Sequence, residues 1–227
     1  MGEAVYMKQN LHQNLAEIDM FKSLNEDELD LLTTISTYKT FQNGSTLFYE
    51  KEELEFIYFL LEGEVKLYKV DRFDSEIFLN RLKEKSFIYT VSNMCTFANG
   101  RGVFYSAEAI SDCRVLLINA KKFQSLFMTK PEILKSILEE SYKSILQLQY
   151  ILNRDIVFDG IAKVAYMICN DLESFNSMKK HEIAYSLHLQ PETLSRILKK
   201  LVRNKYIELE KGKVMTLDKE GLKEIYE

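Results

Sequence analysis

The chain has 227 residues, 46% hydrophobic and 28% charged, enough for two modest domains with a core each. A net charge of −4 disfavours indiscriminate coating of nucleic acid, and three cysteines at wide spacings, Cys95, Cys113 and Cys169, suggest neither a disulfide framework nor a zinc site. No run approaches the ~18 apolar residues of a membrane span, Met1 to Met20 holds no apolar signal core, and Tyr6 stands where a myristoylation pattern wants Ser or Thr, so the expected location is cytoplasmic.

Residues 1–128 read as a short helix followed by many strands. Asn25 with Glu28 is a cap pattern ahead of Leu29, Leu31, Leu32 and Ile35. Thr40-Phe41, Leu47 to Tyr49, Phe56 to Leu61, Val65 to Val70, Glu76 to Leu79, Phe104 to Ile110 and Arg114 to Ile118 are β-branched or aromatic runs. Asn43-Gly44, Glu62-Gly63 and Asn99-Gly100 interrupt them as turns. Such spacing predicts a sandwich or a jelly-roll β-barrel, and the fold class expected is α+β.

Pro131 to about Val157 reads as a long helix. Leu134, Leu138, Ser141, Ile145, Leu148 and Leu152 recur at alternating four and three residues, a heptad seam that predicts two-stranded pairing of identical chains over residues 129–158. The alternative is a helix packed only against its own domain, for which Ile137, Leu146 and Ile151 could serve as the apolar face. The helix is expected to end by Phe158, with Asp159 capping the next helix and Gly160 loosening a hinge.

Residues 159–227 carry a winged helix-turn-helix pattern. A helix over about Lys179 to Leu187, apolar at Ile183, Ala184 and Leu187, precedes a short turn and a second helix opened by Pro191 at its first position. At ~100° per residue, Leu194, Ile197, Leu198 and Leu201 share the core face, and Glu192, Ser195, Arg196, Lys199 and Arg203 gather opposite, with Thr193 beside them at the N-terminal end. Arg can bond guanine O6 and N7, Glu can accept from cytosine N4, and Ser can serve either base. Lys199 and Arg203 suit phosphates. Tyr206 to Leu209 and Val214 to Leu217 read as strands around the turn Lys211-Gly212-Lys213, a basic wing. Glu192 and Arg196 are also an i,i+4 pair that would stabilise a solvated helix; the neighbouring helix and wing favour DNA reading. From Lys179 to Lys213 nine Lys or Arg face four Glu, so affinity for phosphate concentrates in this module.

The order of four blocks, FKSLNEDELDLL from Phe21, FQNGSTLF from Phe41, FIYFLLEGEVKLY from Phe56 and EIAYSLHLQPETLSRIL from Glu182, resembles the cyclic-AMP receptor and fumarate-nitrate regulator (Crp/Fnr) superfamily of bacterial transcription factors. The resemblance implies a cyclic-nucleotide-binding-like sensor roll, a dimerising helix and DNA heads whose pose follows the state of the roll. It also implies a homodimer on a near-palindromic site, with RNA polymerase as a partner where the regulator activates. The Glu and Ser-Arg of the fumarate-nitrate branch fall on Glu192, Ser195 and Arg196, implying a TTGAT-like half-site. His188 stands where the family commonly has Gly, and Gln190 is a weak cap.

The sensor departs from the family. Its nucleotide binders hold ribose with Gly-Glu and cyclic phosphate with Arg-Ser; here those positions hold Tyr89 and Thr90, then Val103 and Phe104, with Arg101 the nearest cation. Three cysteines, the first at Cys95, cannot supply four thiolates, so neither cyclic nucleotide nor an iron-sulfur cluster is the expected signal. Haem, with His12 as an imidazole, an oxidisable Cys95 or Cys113, a small apolar effector and no effector all remain open. Tyr89, Thr90, Phe97, Arg101, Phe104 and Tyr105 are the candidate pocket residues, ordinary strand packing being the alternative for the aromatic ones. An enzyme is not expected, because no phosphate loop, metal pattern or nucleophile motif appears and only His12, His181 and His188 offer imidazole bases. The other rival, a winged helix that binds protein, has no need of clustered cations on its recognition face.

Overall fold

Leu11, Leu15 and Ile18 are buried where helix α1 (Gly2–Glu17) and the turn after it meet helix α2 (Glu26–Thr34). These placements come from a computed structural model that describes residues 2–89, 102–210 and 212–226. α1 carries no capping signal that its sequence would advertise, and the sequence reading lacks it. α2 begins as its sequence indicates: the Glu28 N–H donates to Asn25 Oδ1 and the Asn25 N–H to Glu28 Oε2, both at 3.0 Å.

Eight strands follow: β1 (Ser36–Phe41), β2 (Thr46–Phe48), β3 (Phe56–Glu62), β4 (Glu64–Val70), β5 (Glu76–Lys83), β6 (Ser86–Tyr89), β7 (Ser106–Ala109) and β8 (Cys113–Asn119). They pair antiparallel in two sheets, ordered β1-β8-β3-β6 and β2-β7-β4-β5. β6 is absent from the sequence reading, and β7 is shorter than expected. Residues of both sheets share one core, with Phe48, Tyr58, Leu60, Val65, Leu67, Ala107, Val115 and Leu117 inside it, which makes the roll. The run FIYFLL is apolar throughout because both of its faces are buried. Tyr58 and Leu60 face the roll interior, while Ile57 and Phe59 join Leu116 and Ile118 in a second core with α1 and α2. Between β3 and β4, Gly63 takes φ +95°, and a β-carbon there would lie 2.4 Å from Asp112 O and 2.7 Å from Cys113 Sγ. Only glycine fits that turn.

Asn119 ends β8 and caps α3 (Ala120–Phe127), its side chain accepting the Lys122 N–H at 3.0 Å; Phe123 and Phe127 complete the second core. Helix α4 (Pro131–Leu152) follows, and Lys130, the residue before it, forms an ion pair with Glu28 of α2. Two compact units, Met1–Ile145 and Leu146–Glu227, divide the chain within α4. A π-helical turn, Asn153–Val157, closes that helix, and Phe158 is extended.

In the second unit the Asp159 carboxylate accepts from Ile161 N–H and Ala162 N–H at 3.0 and 2.9 Å and starts α5 (Gly160–Asn170) as expected. Gly160 has a packing role that the sequence reading lacks. It lies in the first turn of α5, where a β-carbon would come within 3.3 Å of Ile197 Cδ1 and Leu189 Cδ2, so α8 and the turn before it approach this position closely. Helices α6 (Leu172–Ser177), α7 (Lys180–Ser186) and α8 (Pro191–Arg203), the hairpin β9 (Ile207–Glu210) and β10 (Lys213–Thr216), and α9 (Lys219–Lys223) enclose a third core built on Val164, Ile168, Phe175, Leu194, Leu201, Ile207 and Leu222. Among the described residues no helix is long and apolar enough to cross a membrane.

Candidate DNA-reading interface

α7 and α8 join through a turn that requires one left-handed residue, and His188 supplies it at φ +54°. The His188 N–H donates to Tyr185 O at 3.1 Å and the Leu189 N–H to Ala184 O at 2.8 Å, which closes the turn. Pro191 occupies the first position of α8, and Gln190 gives no side-chain cap, in line with its weak capping chemistry. Leu194 and Leu201 are buried, Ile197 and Leu198 half-buried, and together they pin one side of α8 to the core. The opposite side is open: Glu192, Thr193, Arg196, Lys199 and Arg203 are exposed and Ser195 is half-buried.

Among the described residues neither Glu192 nor Arg196 has an ion-pair partner, and the intrahelical pair their spacing permits is not made. The same holds for Lys199 and Arg203. The Ser195 hydroxyl, by contrast, is engaged, donating to Pro191 O at 2.6 Å. One helix face thus offers free guanidinium and ammonium donors beside a free carboxylate, the groups that meet base edges and phosphates in a major groove.

The wing stands on a residue that the sequence reading missed. Asn176, in α6, donates its amide N–H to Val214 O at 2.9 Å and accepts the Val214 N–H at 2.8 Å. It stands in for a third strand on the outer edge of β10. Nothing near Asn176 in sequence marks it, since its partner lies on a distant strand. At the wing tip Gly212 takes φ +83° and Lys213 is exposed; Lys211 lies outside the described residues.

A cyclic nucleotide-binding domain model matches residues 38–130, and a Crp-like helix-turn-helix domain model matches residues 162–225. The chain belongs to the Crp/Fnr superfamily of transcription regulators. It is 26% identical to a global nitrogen regulator of Nostoc sp. over 190 residues, 78% of this chain and 83% of the relative. It is 23% identical to a cAMP-activated global transcriptional regulator of Salmonella typhimurium over 171 residues, 71% and 80% of the two chains. A CooA mutant from Carboxydothermus hydrogenoformans shares the fold with TM-score 0.73 at 16% identity, over 94% of this chain and 98% of that one. FixK2 from Bradyrhizobium japonicum shares it with TM-score 0.67 at 16% identity, over 85% and 98%. This Crp/Fnr chain is a DNA-binding transcription regulator, not an enzyme.

On the regulator's long helix α4, Ile133 and Ile137 are buried in the helix-side core. The seam residues Leu134, Leu138, Ile145, Leu148 and Leu152 are exposed, Leu138 by 70% and Ile145 by 51%, while Ser141 is half-buried and donates its hydroxyl to Ile137 O at 2.7 Å. Leu146, which packing of the helix against its own domain alone would bury, is 46% exposed.

In the regulator's roll, Phe104, a candidate for a pocket or for ordinary strand packing, is not buried. It is 55% exposed, since Val103 is buried and locked to the neighbouring loop, its N–H donating to Glu52 O and its carbonyl accepting from Lys51 N–H, which turns the next side chain outward. Tyr105 is half-buried, stacks obliquely on Phe48 with ring centroids 6.4 Å apart, and donates its hydroxyl to Ile88 O at 3.0 Å. The backbone of Tyr89 ends β6 opposite Tyr58. Thr90, Phe97, Arg101 and Cys95 lie outside the described residues.

Cys113 is buried between Glu64 and Ser111, its Sγ 3.3 Å from each of their carbonyl oxygens. Burial pushes its thiol pKa up, which keeps the reactive thiolate scarce. His12, on α1, has Nε2 3.3 Å from Glu26 Oε2 and 3.9 Å from Asp30 Oδ1, so its imidazole addresses two carboxylates of α2.

Proposed function

We propose that this regulator acts as a homodimer on a near-palindromic TTGAT-like site, paired along the α4 seam, with a signal other than cyclic nucleotide or an iron-sulfur cluster. The observation that carries the reading is the open face of α8, where Glu192, Arg196, Lys199 and Arg203 stand exposed and, among the described residues, without ion-pair partners. Two such helices about a two-fold axis would meet half-sites about 34 Å apart, one turn of DNA. The exposed seam leucines of α4 supply the apolar face that pairing requires.

The sensor reading rests on what replaces the nucleotide ligands. A buried Val103 and an outward Phe104 offer a cyclic phosphate no charge-assisted partner. His12 already addresses Glu26 and Asp30, and Cys113 is buried with a raised thiol pKa, which favours a small apolar effector in the roll over haem at His12 or oxidation at Cys113. RNA polymerase is the further partner in the event of activation.

The test is titration of a TTGAT palindrome and a scrambled duplex, each with wild type and Arg196→Ala, alone and with cyclic AMP or haemin. Wild type should prefer the palindrome, and Arg196→Ala should lose about 1 to 3 kcal/mol there with relaxed preference at one base pair. Equal losses on both duplexes would remove Arg196 from the reading role. A gain in affinity with cyclic AMP, or a Soret band with haemin-dependent binding, would overturn the sensor reading.

A further inference from the structure

The chain passes from α4 into the helix-turn-helix module through one joint, all of it within the second unit. On its near side the Phe158 N–H donates to Asn153 O at 2.9 Å and closes the π-helical turn; on its far side the Asp159 carboxylate starts α5. Phe158 itself is extended, with φ −79° and ψ 134°. Its half-buried ring lies across the joint, its centroid 5.4 Å from the ring of Tyr166 in α5 and 5.9 Å from that of Tyr226. Tyr166 and Tyr226 meet edge to face at 5.0 Å. All three separations fall in the ~4.5 to 7 Å range of favourable ring pairs, so each ring packs on the other two.

Tyr226 is tied in turn to the end of the recognition helix. The Tyr206 N–H donates to Leu201 O of α8 at 3.1 Å, and Tyr206 O accepts from Leu217 N–H and Asp218 N–H at 2.9 and 3.1 Å. α9 follows and is pressed on the Tyr206 ring, since a β-carbon at Gly221 would lie 2.6 Å from Tyr206 Cε1. Leu222 is buried in the third core, and the Tyr226 N–H donates to Lys223 O at 2.9 Å. A line of contacts therefore runs from α8 through Tyr206 and α9 to the ring of Phe158.

We infer that Phe158, Tyr166 and Tyr226 form a clasp that holds this joint at one angle, and so determine which spacing of half-sites the two DNA heads accept. This rests on the proposal that the regulator pairs along α4 and reads a palindrome. Rotation about the bonds between Phe158 and Asp159 leaves the Phe158 ring with the π-helical turn and carries Tyr166 and Tyr226 away with the module. Both ring contacts to Phe158 are then lost together. One base pair more or less between half-sites turns one of them by about 35° and shifts it by about 3.4 Å, a change that the joint has to follow. A clasped joint resists that change, and an open one accommodates it.

The experiment selects the preferred palindrome from a random pool with the full-length protein, then varies its spacer by one and two base pairs in each direction. Wild type, Tyr226→Ala, Tyr226→Leu and Tyr226→Phe are titrated on every duplex and on a single half-site. Wild type should lose about tenfold in affinity for one base pair of change, and Tyr226→Ala no more than about threefold. Half-site affinity and sedimentation coefficient should stay those of wild type, which separates an open joint from a broken pair or an unfolded module. Tyr226→Leu, which keeps apolar burial without the ring, should flatten the profile in the same way, whereas Tyr226→Phe should keep the wild-type profile. A loss equal at every spacing would reduce Tyr226 to a stabilising residue and overturn the clasp. So would a wild-type profile in both Tyr226→Ala and Tyr226→Leu, or a flattened one in Tyr226→Phe. A wild type indifferent to spacing would instead overturn paired reading of the palindrome, and the spacing role with it.

Discussion

His188 shows what one backbone angle asks of one residue. At φ +54° it occupies the left-handed region, which costs a residue with a β-carbon about 1 to 2 kcal/mol and costs glycine no steric energy. Exchange for Gly and exchange for Ala both delete the imidazole, so comparing the two variants isolates the backbone. His188→Gly should be more stable than His188→Ala by about 1 kcal/mol after allowing for the greater chain entropy of glycine, read as the difference in urea midpoints. Equal midpoints would mean that the turn relaxes to suit alanine. The departure from glycine was visible in the sequence, and the angle explains why glycine suits this position. Ser195 is the opposite case. Its place on the open face of α8 follows from periodicity, whereas the commitment of its hydrogen to Pro191 O is a matter of rotamer.

At the scale of an element, the wing is a hairpin of two four-residue strands, too small to hold its shape alone. Asn176 supplies what a third strand would, pairing both backbone groups of Val214. Asn176→Ala should leave that N–H and carbonyl unpaired, costing about 1 to 3 kcal/mol, and the change should appear as faster hydrogen exchange at the Val214 amide. Asn176→Asp keeps the acceptor for Val214 N–H but sets a carboxylate against Val214 O, so it should rescue nothing. Unchanged exchange in both variants would assign the wing's pose to Val214 and Ile207 in the core alone.

At the scale of the whole molecule, α4 carries a row of exposed leucines and Ile145 that a chain on its own has no use for. Ile145 is 51% exposed, so Ile145→Asp should leave each chain folded while setting two carboxylates against one another across a paired seam. The expected result is a sedimentation coefficient that falls to that of one chain, together with loss of the preference for a palindrome over a single half-site. A coefficient that does not change would refute pairing along this helix.

Signals spanning one or two helical turns were decisive in the sequence by itself. The Asn25 and Glu28 box, the Asp159 cap, Pro191 at the start of α8, the apolar stripe of α8 and the heptad row of α4 all join residues three to seven apart, so a local pattern determines them. The family blocks added the order of roll, helix and winged helix. Only the tertiary structure decided which core each residue of FIYFLL serves, that Ser86–Tyr89 pairs as β6, that Phe104 turns outward, that His12 meets Glu26 and Asp30, and that Asn176 holds Val214. Those outcomes depend on partners far along the chain, 38 residues away for Asn176, and burial and long-range hydrogen bonds exist only once the chain has brought such partners together.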